Sequence, residues 1–180
     1  MIRRLWPAAS VLVVMIVVVT GGYVVAASLA IPAGPPVTIG DAVMVTPLSG
    51  WQFAGQGRSG DMAAGGFTRG SANLDVFSLP TSDDPQALLA RYVDSQLGPA
   101  SRSLSVSQHV EQVTAASGLP AVRVSYVGTF GARGASIEGE ITSVVSPTGI
   151  GAVFDAWGPE GQFGYARGDT RVMVRTAVLR

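Results

Sequence analysis

Residues 82–99, Ser82-Asp83-Asp84-Pro85 followed by QALLARYVDSQLGP, decide the fold of this chain. Asp84 suits a helix cap, because its carboxylate can accept a hydrogen bond from the first free backbone N–H groups, and Pro85 suits the first helical position. Apolar residues then recur at helical spacing, at Leu88, Leu89, Tyr92, Val93 and Leu97. Gly98-Pro99 is typical of a helix end. The segment predicts an amphipathic helix packed against a sheet.

Downstream of this helix the sequence predicts a β-meander of three strands. Core-facing residues alternate along the first two strands, at Val122, Val124, Tyr126 and Phe130, and then at Ile137, Ile141 and Val145. The other face is predicted to meet solvent through Arg123, Ser125 and Thr129, and then through Glu138, Glu140 and Thr142. Gly131 to Gly134 is typical of the hairpin loop between them. Ile150 to Trp157 is predicted to form the third strand.

Upstream of the helix the sequence predicts further strands of the same sheet. Val37 to Val45 alternates loosely, and Trp51-Gln52-Phe53 begins a second short strand. Gly55 to Gly66 is rich in glycine and serine, which predicts a loop. Residues 71–79 predict a strand with two distinct faces, one carrying Leu74 and Val76 and the other carrying Asn73 and Asp75.

Two segments are open to two interpretations. Ser101 to Ala115 alternates and predicts either one strand or two short ones. Residues 159–168 predict a loop, and residues 169–180 alternate like a strand but also fit one face of a helix capped by Asp169. We favour the helix, so the domain is predicted to be α+β, an antiparallel sheet with one or two packed helices.

The first 31 residues predict a membrane segment. Arg3 and Arg4 form a short basic leader, and Ala8 to Ile31 runs without a charge, which is long enough to cross a bilayer as a helix. We expect residues 5–30 to contact lipid in a single-pass plasma-membrane protein with a cytoplasmic N-terminus. The alternative is a cleaved signal peptide and a secreted domain, since Ser28-Leu29-Ala30 offers small residues where a signal peptidase cuts.

Three parts follow along the chain: residues 1–31 as leader and anchor or signal, residues 32–36 as a proline-rich spacer, and residues 37–180 as an extracytoplasmic domain. Proline favours extended geometry and cannot continue a helix, so the spacer ends the membrane segment.

Composition excludes several classes of function. The net charge is zero, with 12 basic and 12 acidic residues, which argues against electrostatic binding of nucleic acid over a broad basic surface. There is no cysteine, so disulfides, thiolate metal sites and a cysteine nucleophile are excluded. With a single histidine, His109, no cluster of zinc ligands is visible. The sequence predicts no catalytic residue, no cofactor and no metal, and hence a protein that is not an enzyme.

Three weak candidates for chemistry remain, each with an ordinary structural alternative. Glu138 and Glu140 share one strand face and could do acid–base work, or could be a solvated face paired with Arg123. His109 could be a base, but no nucleophile can be matched to it, so we interpret it as a surface residue. The glycine-rich segment 55–70, with Arg58 and Arg69, lacks the Walker pattern and is interpreted as a flexible loop that could serve as a contact surface.

Aromatic residues are the strongest functional signal in the sequence. Exposed, they would form a patch for a partner or ligand, and buried they would be core. The residues concerned are Trp51, Phe53, Tyr92, Tyr126, Trp157, Phe163 and Tyr165.

The order of elements resembles the PsbP-like α/β sandwich, named for a photosystem accessory protein. It is also similar to small actinobacterial envelope proteins with one membrane anchor and such a domain. The resemblance covers residues 37–180 and rests on element order, on Gly50-Trp51 and on Tyr126-Val127-Gly128 with Glu138-Gly139-Glu140. It implies an accessory or assembly factor that binds proteins, and it transfers no functional residue.

Three functions are carried forward. The first is a non-catalytic envelope protein that binds another envelope or membrane protein as an accessory or assembly factor. The second is a carrier or sensor of an apolar ligand such as a lipid, held in a pocket between sheet and helix lined by Leu88, Tyr92, Tyr126 and Trp157. The third is a hydrolase, which requires two of the carboxylates of Glu138, Glu140 and Asp155 to converge in a cleft.

Overall fold

The computed structural model describes residues 34–131 and 134–180. The predicted membrane segment, and the first two residues of the spacer, lie outside the described residues. Within the described ranges, no helix has both the length and the apolar character needed to cross a bilayer.

In the described residues, eight antiparallel strands form the main sheet, in the spatial order β3-β4-β5-β10-β9-β8-β6, with β7 also paired to β8. The strands are β3 (Gln52–Ser59), β4 (Met62–Arg69), β5 (Ala72–Pro80), β6 (Ser101–Val106), β7 (Glu111–Ala115), β8 (Leu119–Phe130), β9 (Ala135–Val145) and β10 (Ile150–Pro159). The predicted meander is β8-β9-β10, which supplies the centre of the sheet. The segment with two interpretations forms two short strands, β6 and β7.

A second sheet has three strands, β1 (Val37–Ile39), β2 (Val43–Val45) and β11 (Val178–Leu179), in the order β1-β2-β11. The single first strand predicted over residues 37–45 is thus a hairpin, because Gly40 and Asp41 turn the chain with positive φ values of 59° and 57°. Gly65 on β4 has no side chain, and a Cβ there would meet the Ile39 side chain at 2.7 Å. That glycine lets the small sheet lie close against the large one.

Helix α1 (Pro85–Tyr92) begins as predicted, with the backbone N–H of Ala87 donating to Asp84 Oδ1 at 2.8 Å. A π-helical turn (Val93–Leu97) and a last turn (Gly98–Ala100) extend it. The helical segment therefore runs one residue beyond the predicted end at Gly98-Pro99, because Gly98 keeps a right-handed helical conformation at φ −57°.

Helix α2 (Gly164–Thr176) confirms the helical interpretation of the C-terminal region but begins before the predicted start. Residues 164–168 are helical rather than loop, and Asp169 lies inside the helix instead of capping it. A residue of strand β9 binds the start of this helix: the backbone N–H of Phe163 donates to Glu138 Oε1 at 3.1 Å.

The domain has three layers around two cores. One face of the large sheet packs on helix α1 through a cluster of apolar side chains: Met62, Leu79, Leu88, Leu89, Tyr92, Leu97, Val122, Val124, Tyr126, Ile137, Ile141 and Val153. The other face packs on helix α2 and the small sheet, where Phe67, Leu74, Val76, Phe154, Phe163 and Met173 are buried. We call these the α1 face and the α2 face.

Two further predictions are wrong, one about exposure and one about secondary structure. Glu140 and Thr142 were expected to face solvent, but helix α2 covers that side of the sheet and both are buried. The predicted loop 55–66 is the β3-β4 hairpin, closed by the two residues Gly60 and Asp61. Glycines disfavour a strand locally, yet pairing with β5 holds β4 in place.

Candidate functional site

On the α1 face, one row of register partners crosses the sheet from apolar residues, through two carboxylates, to glycines. The row runs through Val124, Ile141, Asp155, Asp75, Gly66 and Gly55, from β8 to β3. Register partners in an antiparallel sheet point to the same side, so two carboxylates lie side by side between an apolar half and a bare glycine half. This row organises both features described below, an acid cluster and a glycine hollow.

The acid cluster is centred on Asp155, which is buried under helix α1. The hydroxyl of Tyr92 on α1 donates to Asp155 Oδ2 at 2.7 Å, and the hydroxyl of Tyr126 on β8 donates to Asp155 Oδ1 at 2.8 Å. The indole N–H of Trp157, also on β10, donates to Asp75 Oδ2 on the neighbouring strand β5 at 2.8 Å. Three of the predicted contact residues therefore converge, but on carboxylates of their own chain.

Burial dominates the electrostatics of this cluster. It raises the pKa of Asp155 to about 7, although both tyrosine hydrogen bonds act to lower it, and the nearby Asp75 raises it further. Burial also raises the pKa of Asp75, against the bond from Trp157. The pKa values of Tyr92 and Tyr126 are raised, first by burial and then by the Asp155 charge. The tyrosines therefore stay protonated and act as donors.

Gly139 makes the Tyr126 contact possible. A Cβ at this position would meet the Tyr126 ring and the carbonyl oxygen of Ala156, each at 2.7 Å. The ring therefore lies across the glycine of the neighbouring strand, which directs the hydroxyl to Asp155.

Gly139→Ala is expected to lower the free energy of unfolding by about 2 kcal/mol, because the added methyl group overpacks a closed site and displaces Tyr126. Chemical denaturation measures this. Gly168→Ala is the matched control: a Cβ there meets nothing within 4 Å, and the exposed site lies inside helix α2. This control is expected to gain up to about 1 kcal/mol. Equal losses for the two variants would contradict the packing argument.

The carboxylates considered for hydrolysis do not converge. Asp155 lies on the α1 face, whereas Glu138 and Glu140 lie on the α2 face. Glu140 accepts two hydrogen bonds from Arg171, at 2.6 and 2.9 Å, and pairs with Arg167 at 3.2 Å. Glu138 holds the start of helix α2. The expected pairing of the two glutamates with Arg123 is replaced, since Arg123 contacts Glu111 at 3.6 Å and Thr142 at 3.4 Å.

The remaining candidate side chains lie elsewhere in the domain. Phe163 and Trp51 are core residues of the α2 side, and the Trp51 indole donates to Asp169, which also binds Arg69. Phe53 and Tyr165 are exposed. His109 was expected in a strand but lies in the exposed β6-β7 connection. Among the residues that the structure describes, no three histidine, cysteine or acidic side chains are placed to hold a metal ion.

The space predicted for an apolar ligand is filled by the protein's own side chains. Leu88, Tyr92 and Tyr126 are buried in the core under helix α1, and Trp157 packs against that core. The polar centre of this space is Asp155 with its two tyrosine donors. The arrangement is a closed core with a polar cluster, which does not suit an apolar cargo.

The glycine hollow lies beside the acid cluster, where β3 and β4 leave the α1 face uncovered. It is an open depression of about 380 Å³, lined by Ala54, Gly55, Gln56, Gly57, Ala64, Gly65, Gly66, Asp75 and Phe77. The Phe77 ring packs on Tyr92 at a centroid distance of 5.1 Å and forms the inner wall. Next along β3, Ser59 donates to Gln96 of the π-helical turn at 2.8 Å. The sequence predicted a flexible loop that could serve as a contact surface here, and it assigned no role to Asp75, which it placed on the strand face opposite Leu74 and Val76.

No protein-family description matches the chain. No curated protein matches it in sequence either. Solved structures do match it in fold. The solution structure of cyanobacterial PsbP (CyanoP) from Synechocystis sp. PCC 6803 superposes with a TM-score of 0.56 at 12% identity, over 78% of this chain and 88% of that chain.

The crystal structure of LpqN, involved in cell envelope biogenesis of Mycobacterium tuberculosis, matches with a TM-score of 0.49 at 13% identity, over 82% of this chain and 85% of that one. At these identities the similarity concerns the fold. The CyanoP match confirms the prediction made from the order of elements: the domain has a PsbP-like fold, mostly antiparallel sheet with packed helices.

Proposed function

We propose that this chain is a non-catalytic accessory or assembly factor of the cell envelope, which binds another membrane or envelope protein through the free edge of strand β3. Residues 5–30 anchor it in the plasma membrane, and the folded domain lies outside the cytoplasm. In the alternative topology the segment is cleaved and the domain is secreted with the same binding edge.

The observation that carries the proposal is the exposure of β3. All residues from Gln52 to Arg58 are exposed, and no strand in the described part of the chain pairs with the outer edge of β3. An edge strand presents a row of unpaired N–H and C=O groups, which is a template for pairing with another chain. Proteins that recognise extended segments use such edges, with main-chain hydrogen bonds giving affinity.

The state of the acidic residues supports a non-catalytic role. Each carboxylate considered for acid–base chemistry already has a structural partner: Asp155 holds two tyrosines, Glu140 holds two arginines and Glu138 holds the start of helix α2. General acid–base catalysis needs a titratable group within hydrogen-bond reach of the substrate, in an accessible cleft. These three carboxylates instead bind residues of the domain itself.

Crosslinking and pulldown of the full-length tagged protein from native membranes tests this function. Gln56→Pro removes an edge N–H that faces away from β4, and Gln56→Ala is the matched control that keeps it. We expect one membrane or envelope protein to be recovered with the wild type and the control and lost with the proline variant. Recovery by all three would overturn the role of β3. A further variant, with residues 5–30 replaced by a foreign anchor, should retain the partner.

A further inference from the structure

The direction of the main-chain groups on β3 follows from its hairpin. A hairpin closed by two residues has a hydrogen-bonded pair next to the turn, here Ser59 and Met62, and hydrogen-bonded pairs alternate with non-bonded ones. Arg58 and Gln56 are therefore the residues whose N–H and C=O groups point away from β4. An added strand would bond to these two residues.

Glycines elsewhere in the sheet are covered by side chains of this chain. The Cβ position of Gly139 is occupied by the Tyr126 ring, that of Gly128 by the Phe130 ring and that of Gly151 by Leu88, all within 2.8 Å. At Gly55 and Gly57, in contrast, a Cβ would meet nothing within 4 Å. The hollow of about 380 Å³ is the volume that a covering side chain would fill.

Of these two glycines, only Gly57 lacks a side chain without a reason in its own backbone conformation. Gly55 has a φ of 138°, next to the irregularity in the β3-β4 register, and this conformation itself requires glycine. Gly57 has no positive φ and no close neighbour. Glycine weakens a strand interior and often marks a close approach of another chain or a ligand. In the described fold no side chain covers position 57, so this position is open to a side chain of an added strand.

The charge on β3 is on the opposite face. Arg58 pairs in register with Ala63, which faces the small sheet, so its side chain lies on the α2 side. Its guanidinium donates to the carbonyl oxygen of Asp61 at 2.8 Å. In the part of the chain that the structure describes, no carboxylate lies within ion-pair distance of it. A carboxylate directly across from Arg58 on an added strand would complement this charge.

We infer that β3 receives an extended segment of the partner protein, paired antiparallel, with two aromatic side chains two residues apart over Gly57 and Gly55 and an acidic residue opposite Arg58. Read from its N-terminus, the segment is acidic, aromatic, any residue, aromatic. Antiparallel pairing continues the pattern of every neighbouring strand pair in the sheet. The inference rests on the proposed function and names the chemistry of the partner at the same edge.

A second copy of this chain does not satisfy these requirements through its own β3. Between Gln52 and Ser59 the strand has no carboxylate, and its one aromatic residue, Phe53, packs on Phe67 of the α2 face. Antiparallel pairing of two β3 strands keeps each face continuous with itself, so it would place glycines beside glycines and leave the hollow empty. A second copy paired through β3 is therefore not the occupant, and the inference assigns this edge to a different protein.

Binding of a synthetic peptide to the full-length protein in detergent tests the inference. The probe is the octapeptide Ser-Thr-Glu-Tyr-Thr-Tyr-Thr-Gln, and the control peptide has both tyrosines replaced by threonine. We expect saturable binding of the probe by fluorescence anisotropy and about tenfold weaker binding of the control, because aromatic packing over the glycines is lost. Absence of saturable binding of the probe below about 1 mM, a weak affinity for any specific complex, would overturn the inference.

Two protein variants separate recognition from folding. Gly57→Thr is expected to weaken the probe about tenfold by filling the hollow, while its thermal midpoint stays equal or rises by about 2 °C, since threonine suits a strand better than glycine. Arg58→Glu is expected to weaken the probe about fivefold and to be rescued by a probe with lysine in place of glutamate. Wild-type affinity in both variants would overturn the inference.

The outcome can be separated from that of the proposed function. If the native partner is lost with Gln56→Pro but the probe does not bind, edge recognition stands and the proposed sequence pattern is wrong. If the native partner is retained by Gln56→Pro, the proposed function fails, whatever the peptide does.

Discussion

Lowering the pH from 8 to 5 is expected to raise the free energy of unfolding of this domain by about 2.5 kcal/mol, because of Asp155. Burial raises the pKa of this carboxyl from 3.8 to about 7 in the folded state. The folded protein therefore binds a proton in a pH range where the unfolded chain has released it. The resulting stability is fully present below the unfolded pKa of 3.8 and is lost as the pH rises through the folded pKa of about 7. Asp75, whose pKa is also raised by burial, acts in the same direction.

Asp155→Asn tests the assignment. Asparagine has nearly the same shape, and its amide can accept from one tyrosine and donate to the other, as the protonated acid would. The variant is expected to lose most of the rise between pH 8 and 5 and to exceed the wild type at pH 8. Urea unfolding at pH 5, 6, 7 and 8 measures both. Asp94→Asn, at an exposed site of the same helical segment, is the control and should keep the wild-type slope.

Removing a tyrosine donor should lower the free energy of unfolding more at high pH than at low pH. Tyr92→Phe takes one hydrogen bond from the Asp155 carboxylate, and a bond to a charged group contributes about 1.5–3 kcal/mol. The loss is expected to be largest at pH 8, where the carboxylate is ionised, and smaller at pH 5. A stability that falls on acidification in the wild type, or an unchanged slope in Asp155→Asn, would contradict this account of the cluster.

Local patterns explain why much of the fold could be predicted. The cap at Asp84, the periodicity of helix α1 and the alternation along β8 and β9 are all set within a few residues, and the structure confirms them. The β3-β4 hairpin was missed because its stability comes from pairing with β5, while its own glycines indicate a loop. Tertiary pairing overrides local propensity there.

The contacts of the candidate site likewise could not be predicted from local sequence patterns. Tyr92, Tyr126 and Trp157 could be selected as aromatic, but nothing local reveals that they meet carboxylates, because Asp155 and Asp75 are 80 residues apart and become neighbours only through strand register. Helix α2 begins where Glu138 on β9 binds the Phe163 N–H, so its start depends on a residue 25 positions away. Alternation assigned Glu140 to one strand face correctly but could not show that a helix covers that face.

Glu140→Ala is expected to lower the free energy of unfolding by about 3 kcal/mol. The carboxylate is buried, with 5% of its side chain exposed, and it holds Arg171 and Arg167 of helix α2 against β9. Removing one partner of a buried ion pair costs about 3–5 kcal/mol, because the remaining charge is uncompensated. We expect the lower end, since the side chains of Arg171 and Arg167 are 45% and 41% exposed and regain solvation.

Asp83→Asn is the control, because it removes a carboxylate that pairs with Arg91 at 3.2 Å, and the side chains of Asp83 and Arg91 are 30% and 45% exposed. Exposed pairs contribute about 0–1 kcal/mol, and salt screens them. The control should therefore cost less than about 1 kcal/mol, with the difference shrinking in 1 M NaCl, whereas the loss in Glu140→Ala persists. Hydrogen exchange adds a local readout: the amides of helix α2 should exchange faster in Glu140→Ala, and those of helix α1 should not. Equal costs for the two variants, or faster exchange only in helix α1, would show that Glu140 does not fasten helix α2 to the sheet.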